Sequence, residues 1–257
     1  MPAKSRVFAA HVILLATLSL FSPLLKAQQS SSLGPQAPPF LLRTIAVMTG
    51  GTRIKSAALT GTITLYGPTN NATSTFSASA DNSGQSRFNV ANGLSESRSL
   101  SGGTPSGNVI GPGGVSYALS AQNPMTTSAW FLTTFSVASR LVARDYANSY
   151  IDRETQNGVL VRHVQVWHTA NGSTPDVAAA VKSLTLEDIY LDEMSHLPVL
   201  VAFNLHLGSG SLSNVPVQVY FSNYHQVQNC PVAYHIQVYM NGSPFWDLQV
   251  SSASLAY

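Results

Sequence analysis

From residue 199 to residue 250 the chain alternates apolar and polar side chains in four successive runs. Val199, Val201, Phe203 and Leu205 alternate with Leu200, Ala202, Asn204 and His206. Val215, Val217, Val219 and Phe221 alternate with Gln218, Tyr220 and Ser222. Val232, Tyr234, Ile236, Val238 and Met240 form the third run, and Trp246, Leu248 and Val250 the fourth. A two-residue period puts one face of a strand inward, and a helix cannot use it. Asn241-Gly242 between the last two runs is a tight-turn signal. Strands that follow one another through short turns predict an antiparallel meander.

The same period recurs upstream. Leu59, Gly61, Ile63 and Leu65 alternate with Thr60, Thr62 and Thr64, and Phe76, Ala78 and Ala80 alternate with serines. Residues 81–114 are rich in Gly and Ser. Short strands are expected there around Phe88 and Arg98, with loops at Gly102-Gly103 and Gly111-Pro112-Gly113-Gly114. Strands near 146–155 and 159–168 flank Asn157-Gly158, a type I′ hairpin signal. Ten or eleven strands exceed what one flat sheet holds, so the sheet is expected to curl into a barrel or half-barrel.

Three helices interrupt the strands. Leu41, Ile45 and Met48 share one face of a helix from Pro38 to Met48, which Gly50-Gly51 ends. Residues 126–142 change period: Phe131, Phe135, Ala138 and Val142 are spaced 4, 3 and 4 apart, with Trp130, Val137 and Leu141 beside them. This reads as one helix with a wide apolar stripe, with Arg140 and Arg144 suited to its C-terminal end. A third helix starts at Pro175, capped by Thr174 and favoured by Asp176 in its first turn; Val177, Val181 and Leu184 are its expected buried face.

The N-terminus has the three zones of a secretory signal. Lys4 and Arg6 precede an apolar run from Val7 to Phe21, Pro23 breaks it, and Ala27 offers a small residue for cleavage. The run is shorter than the roughly 20 residues a bilayer span needs. Nothing later is apolar and long enough to span, so no membrane span is expected after cleavage. Residues 1–27 are therefore read as a signal peptide, 28–36 as a flexible polar leader and 37–257 as a single domain. Three of the 13 basic residues and none of the 11 acidic ones lie in 1–27, which leaves 10 basic against 11 acidic residues and a net charge of −1. That balance removes the electrostatic motive for binding nucleic acid. Cys230 is the single cysteine, so the fold must hold without an internal disulfide.

Candidate chemistry is sparse. Six histidines follow residue 27 (His163, His168, His196, His206, His225 and His235), but none has tight metal-ligand spacing. His206 and His235 fall on the polar faces of their strands. No metal or cofactor is expected. Asp152 with Glu154, and Asp188 with Asp192, share strand faces as carboxylate pairs do in hydrolases, and also as ordinary polar faces do. The G-x-S-x-G elbow of serine hydrolases is absent, and so are phosphate-loop and dinucleotide fingerprints. Cys230, next to Pro231, reads as an inert small residue. Three Asn-x-Ser/Thr triplets begin at Asn71, Asn171 and Asn241, a pattern common by chance. The aromatic group Trp130, Phe131 and Phe135 either packs the core or covers an apolar cavity.

Ile189-Tyr190-Leu191-Asp192 followed by Leu197-Pro198-Val199 resembles a strand–turn–strand of LolA-like proteins, the outer-membrane lipoprotein-sorting type. Phe221-Ser222-Asn223-Tyr224 with Val232-Ala233-Tyr234-His235-Ile236 is similar to the next hairpin of that fold, and the first helix ending in Met48-Thr49-Gly50-Gly51 fits as well. The likeness covers about residues 37–250 and is nearest to uncharacterised secreted bacterial members. It implies a mainly β (α+β) chain whose curled antiparallel sheet forms an incomplete barrel with helices over its mouth. It also implies a non-catalytic periplasmic or secreted protein that binds or carries a lipid, an acylated ligand or another apolar ligand, with Trp130, Phe131 and Phe135 as ligand-binding residues. A departure from the better-known carriers is the long Gly/Ser region at 81–114. The alternatives are a structural or interaction module of the cell envelope with a filled core, and an extracytoplasmic hydrolase.

Export is checked directly. N-terminal sequencing of the protein from the periplasm of an expressing bacterium should begin close to Gln28. A membrane-bound product that retains Met1 or Pro2 is the contrary result.

Overall fold

The computed structural model describes residues 39–100, 104–206 and 214–257. The expected signal segment 1–27, the leader 28–36 and the Gly102-Gly103 loop lie outside the described residues. The chain opens with α1 (Pro39–Thr49), which buries Leu41 and Met48 and is stopped by Gly50 and Gly51 at φ +59° and +73°. These are left-handed values that glycine adopts without penalty.

Two meanders make up the rest. The first is β1 (Ser56–Leu65), β2 (Ala72–Asp81), β3 (Gln85–Val90), β4 (Ser95–Ser99), β5 (Ser106–Ile110) and β6 (Ser116–Ala118). The second is β7 (Tyr146–Gln156), β8 (Val159–His168), β9 (Glu187–Asp192), β10 (Pro198–His206), β11 (Asn214–Val227), β12 (Cys230–Met240) and β13 (Ser243–Ala256). All thirteen lie in one antiparallel sheet ordered β6-β5-β4-β3-β2-β1-β13-β12-β11-β10-β9-β8-β7. Among the described residues the only pairing between strands distant in sequence is β1 with β13, from Ser56↔Ala256 to Leu65↔Trp246. The sheet is curled and not closed into a barrel. Its concave face carries the alternating apolar residues read from the sequence, among them Leu59, Ile63, Phe76, Phe88, Val219, Ile236 and Leu248.

The hairpin turns follow their sequences. Asn157-Gly158 and Asn241-Gly242 both have positive φ at both residues, as a type I′ turn demands. The strand count exceeds the expected ten or eleven. The excess is β5, which forms inside the Gly/Ser-rich stretch, and β6, which follows just after it; both lie at the sheet's edge, where side chains need little burial.

Two helical expectations are corrected. The continuous helix over 126–142 does not form. The segment is α2 (Gln122–Thr127), an irregular turn with Ala129 at φ +55°, a π-helical turn (Thr134–Ala138) and α3 (Ser139–Val142). Its polar groups bond to the rest of the molecule: Ser86 Oγ accepts from the Ala129 N–H at 3.1 Å, and Thr134 Oγ1 donates to the Met48 carbonyl at 3.1 Å. These tertiary bonds replace part of the helical ladder. Val142, expected on the apolar stripe, is 45% exposed. In α4 (Pro175–Thr185), Thr174 caps the first turn as expected. Its expected buried face is not buried: Val177 is exposed, and Val181 and Leu184 are half-buried. Only the C-terminal end of α4 packs, through Thr185, which donates to the Val181 carbonyl and accepts from the His168 N–H. Among the described residues no helix is long and apolar enough to cross a membrane.

Gly61 sets how closely β1 and β13 approach. A β-bulge falls between Thr60 and Gly61, where Ser251 Oγ donates to the Thr60 carbonyl at 3.1 Å. A Cβ on Gly61 would sit 2.1 Å from the Gln249 carbonyl oxygen and 2.8 Å from the Phe76 ring. Gly61→Ala should therefore cost about 1–3 kcal/mol in the denaturant midpoint. Gly113→Ala, where a Cβ meets nothing within 4 Å, should stay within about 0.5 kcal/mol of wild type.

Candidate functional site

Six strands separate β4 from β10 along the sheet, yet both line one cavity of about 450 Å³. That shared lining is the direct expression of the curl. Leu94, Val109 and Tyr117 come from the β4–β6 side. Phe203 and Leu205 of β10, Val217 and Val219 of β11, Val238 and Met240 of β12, and Trp246 of β13 form the other walls. On the β10–β12 side the wall is apolar because Phe203, Leu205, Val217, Val219, Val238 and Met240 are inward members of alternating strands.

Trp130 closes the cavity from the helical segment 122–142, which covers it. Its indole joins an aromatic cluster centred on the fully buried Phe88. Phe88 lies 5.2 Å from Trp130, 5.5 Å from Trp246, 5.6 Å from Phe76 and 5.8 Å from Phe131. Stacked and tilted rings at these separations attract beyond their burial. Of the three aromatic residues singled out in the sequence, Trp130 lines the cavity. Phe131 is buried behind it, its ring edge-on to Trp130 at 5.4 Å. Phe135 is half-buried against the core and is not among the cavity's lining residues.

Sequence reading missed the polar ties of this cover. Glu96 and Arg98 of β4 are 7% and 6% exposed and form an ion pair at 2.8 Å. The Trp130 indole N–H donates to Glu96 Oε1 at 3.1 Å, and Arg98 Nη1 donates to the Asn123 carbonyl at 3.4 Å. On the opposite rim Asn123 accepts from the His206 N–H at 3.0 Å and donates to the His206 carbonyl at 2.9 Å. Asn123 thus ties β4 to β10 across the curl. His206 is not on a polar outer face, as its strand position implied: it is 2% exposed, with Nε2 3.0 Å from the Leu184 carbonyl. The one sequence signal for the ion pair was an acid and a base two apart, Glu96 and Arg98, in a Ser-rich run, which equally describes a solvated strand.

A second buried ion pair fixes the cover's far end. Arg140, expected at a solvated helix terminus, is 4% exposed; it bonds Glu187 of β9 through Nη1 and the Ser128 carbonyl through Nη2 at 3.0 Å. The Cys230 thiol is buried against the same region and donates to the Met48 carbonyl at 3.0 Å; burial raises its pKa.

The polar clusters of the outer face are of another kind. His163 bridges Glu154 at 2.9 Å and Asp188 at 2.7 Å. Ser222 Oγ lies 3.1 Å from His235 Nδ1, and His235 Nε2 lies 3.1 Å from Asp247 Oδ2. The second cluster has the connectivity of a hydrolytic relay, but Ser222 is exposed on an open strand face. Asp247 also accepts from Gln237 and Gln249. Such a relay draws its power from a water-excluded, concave setting that this face does not supply. Among the described residues no group of three or more His, Cys, Asp or Glu is placed to hold a metal.

No family model matches the sequence, and no curated protein does. Solved structures match the fold. A putative outer membrane lipoprotein-sorting protein domain from Vibrio parahaemolyticus aligns with a TM-score of 0.54 and 14% identity, over 84% of this chain and 91% of that one. The chain has a LolA-like fold. A DUF1329 family protein from Desulfovibrio piger gives a TM-score of 0.54 at 10% identity, over 84% of this chain and 90% of that one. A LolA superfamily protein from Nitrosomonas europaea gives 0.50 at 12% identity, over 85% and 93%. At these identities the likeness is one of backbone. The LolA-like arrangement of strands and turns expected from residues 189–199 and 221–236 is the one observed.

The Arg140–Glu187 pair makes stability depend on pH. Burial lifts the Glu187 carboxyl from 4.5 to about 8, while Arg140 pulls it back down. A carboxyl whose pKa is raised by folding binds more protons in the native state than in the unfolded one. Its contribution is complete below the unfolded value and is lost as pH rises through about 8. Denaturant midpoints of wild type, measured relative to Glu187→Gln, should fall as pH rises from about 5 to about 9.

Proposed function

We propose that this is a non-catalytic, extracytoplasmic binding or carrier protein for a lipid, an acylated molecule or another apolar ligand, held in the cavity beneath Trp130. The observation that carries this reading is the cavity itself. It is a space of about 450 Å³ with mostly apolar walls, beside a contiguous buried apolar core. That volume lies in the range of small-ligand pockets, roughly 300–1,000 Å³. Moving an acyl chain from water into such a space gains about 0.8 kcal/mol per CH₂. The reading is supported by the likeness to a protein described as a putative lipoprotein-sorting domain and by the signal-like N-terminal sequence, which is of the kind exported chains carry.

In this reading Trp130 touches the ligand. Phe131 backs Trp130 and sets its orientation, and Phe135 joins the cover to the core. The Glu96–Arg98 pair holds Trp130 and α2 in place. Binding then needs no covalent step.

A fluorescent fatty-acid probe tests the proposal. Wild type should bind it saturably, and Trp130→Ala should weaken binding roughly tenfold, as loss of a large aromatic contact does. Leu205→Trp, which fills the space from β10, should abolish binding while leaving the protein folded. Phe131→Ala should act on stability instead, by about 3–5 kcal/mol. Absence of probe binding by wild type, with no lipid found by mass spectrometry on the purified protein, would replace the carrier with a structural envelope module.

A further inference from the structure

A second hollow, of about 540 Å³, shares no lining residue with the apolar cavity. It is lined by Pro39, Phe40 and Arg43 of α1, Tyr150 of β7, Arg162 of β8 and His196 in the turn between β9 and β10. Three nitrogen-bearing side chains thus reach one space from three elements that are remote in sequence.

Their hydrogen bonding is incomplete. Arg162 lies 4.7 Å above the Phe40 ring, and its Nη2 donates to Glu193 at 2.7 Å. Its Nε is buried with no partner. Glu193 is shared, because it also takes Arg153 at 2.7 Å, so one carboxylate serves two guanidinium groups. Arg43 is exposed and has no ion-pair partner among the described residues. His196 is only 9% exposed and is held at φ +61° by its turn. Its ring has no hydrogen-bond partner among the described residues. The nearby Asp192 carboxylate is occupied by the Met194 and Ser195 N–H groups. Burying the Arg162 Nε–H without an acceptor costs free energy, and a bound anion removes that cost.

We propose that this hollow is an oxyanion site that takes a phosphate group. Arg43, Arg162 and His196 are its donors, and Phe40 and Tyr150, edge-on at 5.3 Å, form its apolar flank. The phosphate is either free or the headgroup of a phospholipid. The site does not depend on what fills the apolar cavity. Burial, then Arg43 and Arg162, lower the His196 pKa, against which Asp192 and Glu193 act. A bound anion favours the protonated ring, so binding tightens as pH falls through the imidazole range.

The test uses the mature chain. Titration calorimetry with inorganic phosphate, and with sulfate, whose charge is constant over the relevant pH range, should show saturable binding. Arg43→Gln, at an exposed position, should weaken it roughly tenfold. His196→Gln should remove the pH dependence of sulfate binding while leaving the denaturant midpoint near wild type. Flotation with phosphatidylcholine vesicles, with and without phosphatidylglycerol, separates the sources. Binding only to the phosphatidylglycerol vesicles, competed by phosphate, identifies a headgroup. Phosphate binding without vesicle binding identifies a small anion. The proposal fails if folded wild type binds neither phosphate nor phosphatidylglycerol vesicles, or if both variants bind as wild type does.

Discussion

The pairing of β1 with β13 is the contact on which the architecture depends. Each meander is built from neighbours in sequence and would form an open sheet of its own. Only the ten-residue ladder from Ser56↔Ala256 to Leu65↔Trp246 makes them one sheet. It does so at the centre, so six strands lie on one side through β6 and the others on the far side through β7. Without it β4 and β10 would have no reason to face each other. The bulge at Thr60 and the missing Cβ of Gly61 let the two strands lie close where the sheet bends. Closing a loop of some 190 residues is a large entropic step, and a continuous row of cross-strand bonds with an apolar inner face offsets it.

Given that frame, the helical segment between the meanders has one place to go. It crosses the open side of the curl. It buries Trp130, Phe131, Leu132, Val137 and Leu141 in the core, and polar ties fix its position: Asn123 to His206, Arg98 to the Asn123 carbonyl, Trp130 to Glu96, and Arg140 to Glu187. Buried charge pairs add little net stability compared with apolar packing, but breaking one leaves a costly unpaired charge. They therefore specify where the cover sits better than they strengthen it. Beneath the cover the inward side chains do not meet across the curl, and the proposed ligand space is what remains between them.

Much of this was legible in the sequence. The alternation at 59–65, 76–80 and 199–250, the Asn-Gly turns and the Gly50-Gly51 stop each report a local property, and each appears where it was read. Trp130 stood out because large aromatic residues are conspicuous. The helix at 126–142 was misread because apolar spacing cannot register that Ser86 and Met48 compete for the segment's polar groups. The buried face of α4 was misread for the opposite reason: amphipathic spacing says which side would be buried, not whether a partner exists. Val177 has the right spacing and is 49% exposed.

The sequence by itself determined the strands of the alternating runs, their tight turns and which side of most of them faces inward. A period of two and a positive-φ turn are enforced by a residue's immediate neighbours. The tertiary structure decided the rest: that β1 meets β13, that the sheet curls until Leu94 and Phe203 line one cavity, that Glu96 and Arg98 are buried, and that Arg43, Arg162 and His196 share a hollow. Each of those facts joins residues far apart along the chain. Long-range contacts form by shape and charge complementarity between finished elements, which no local pattern encodes.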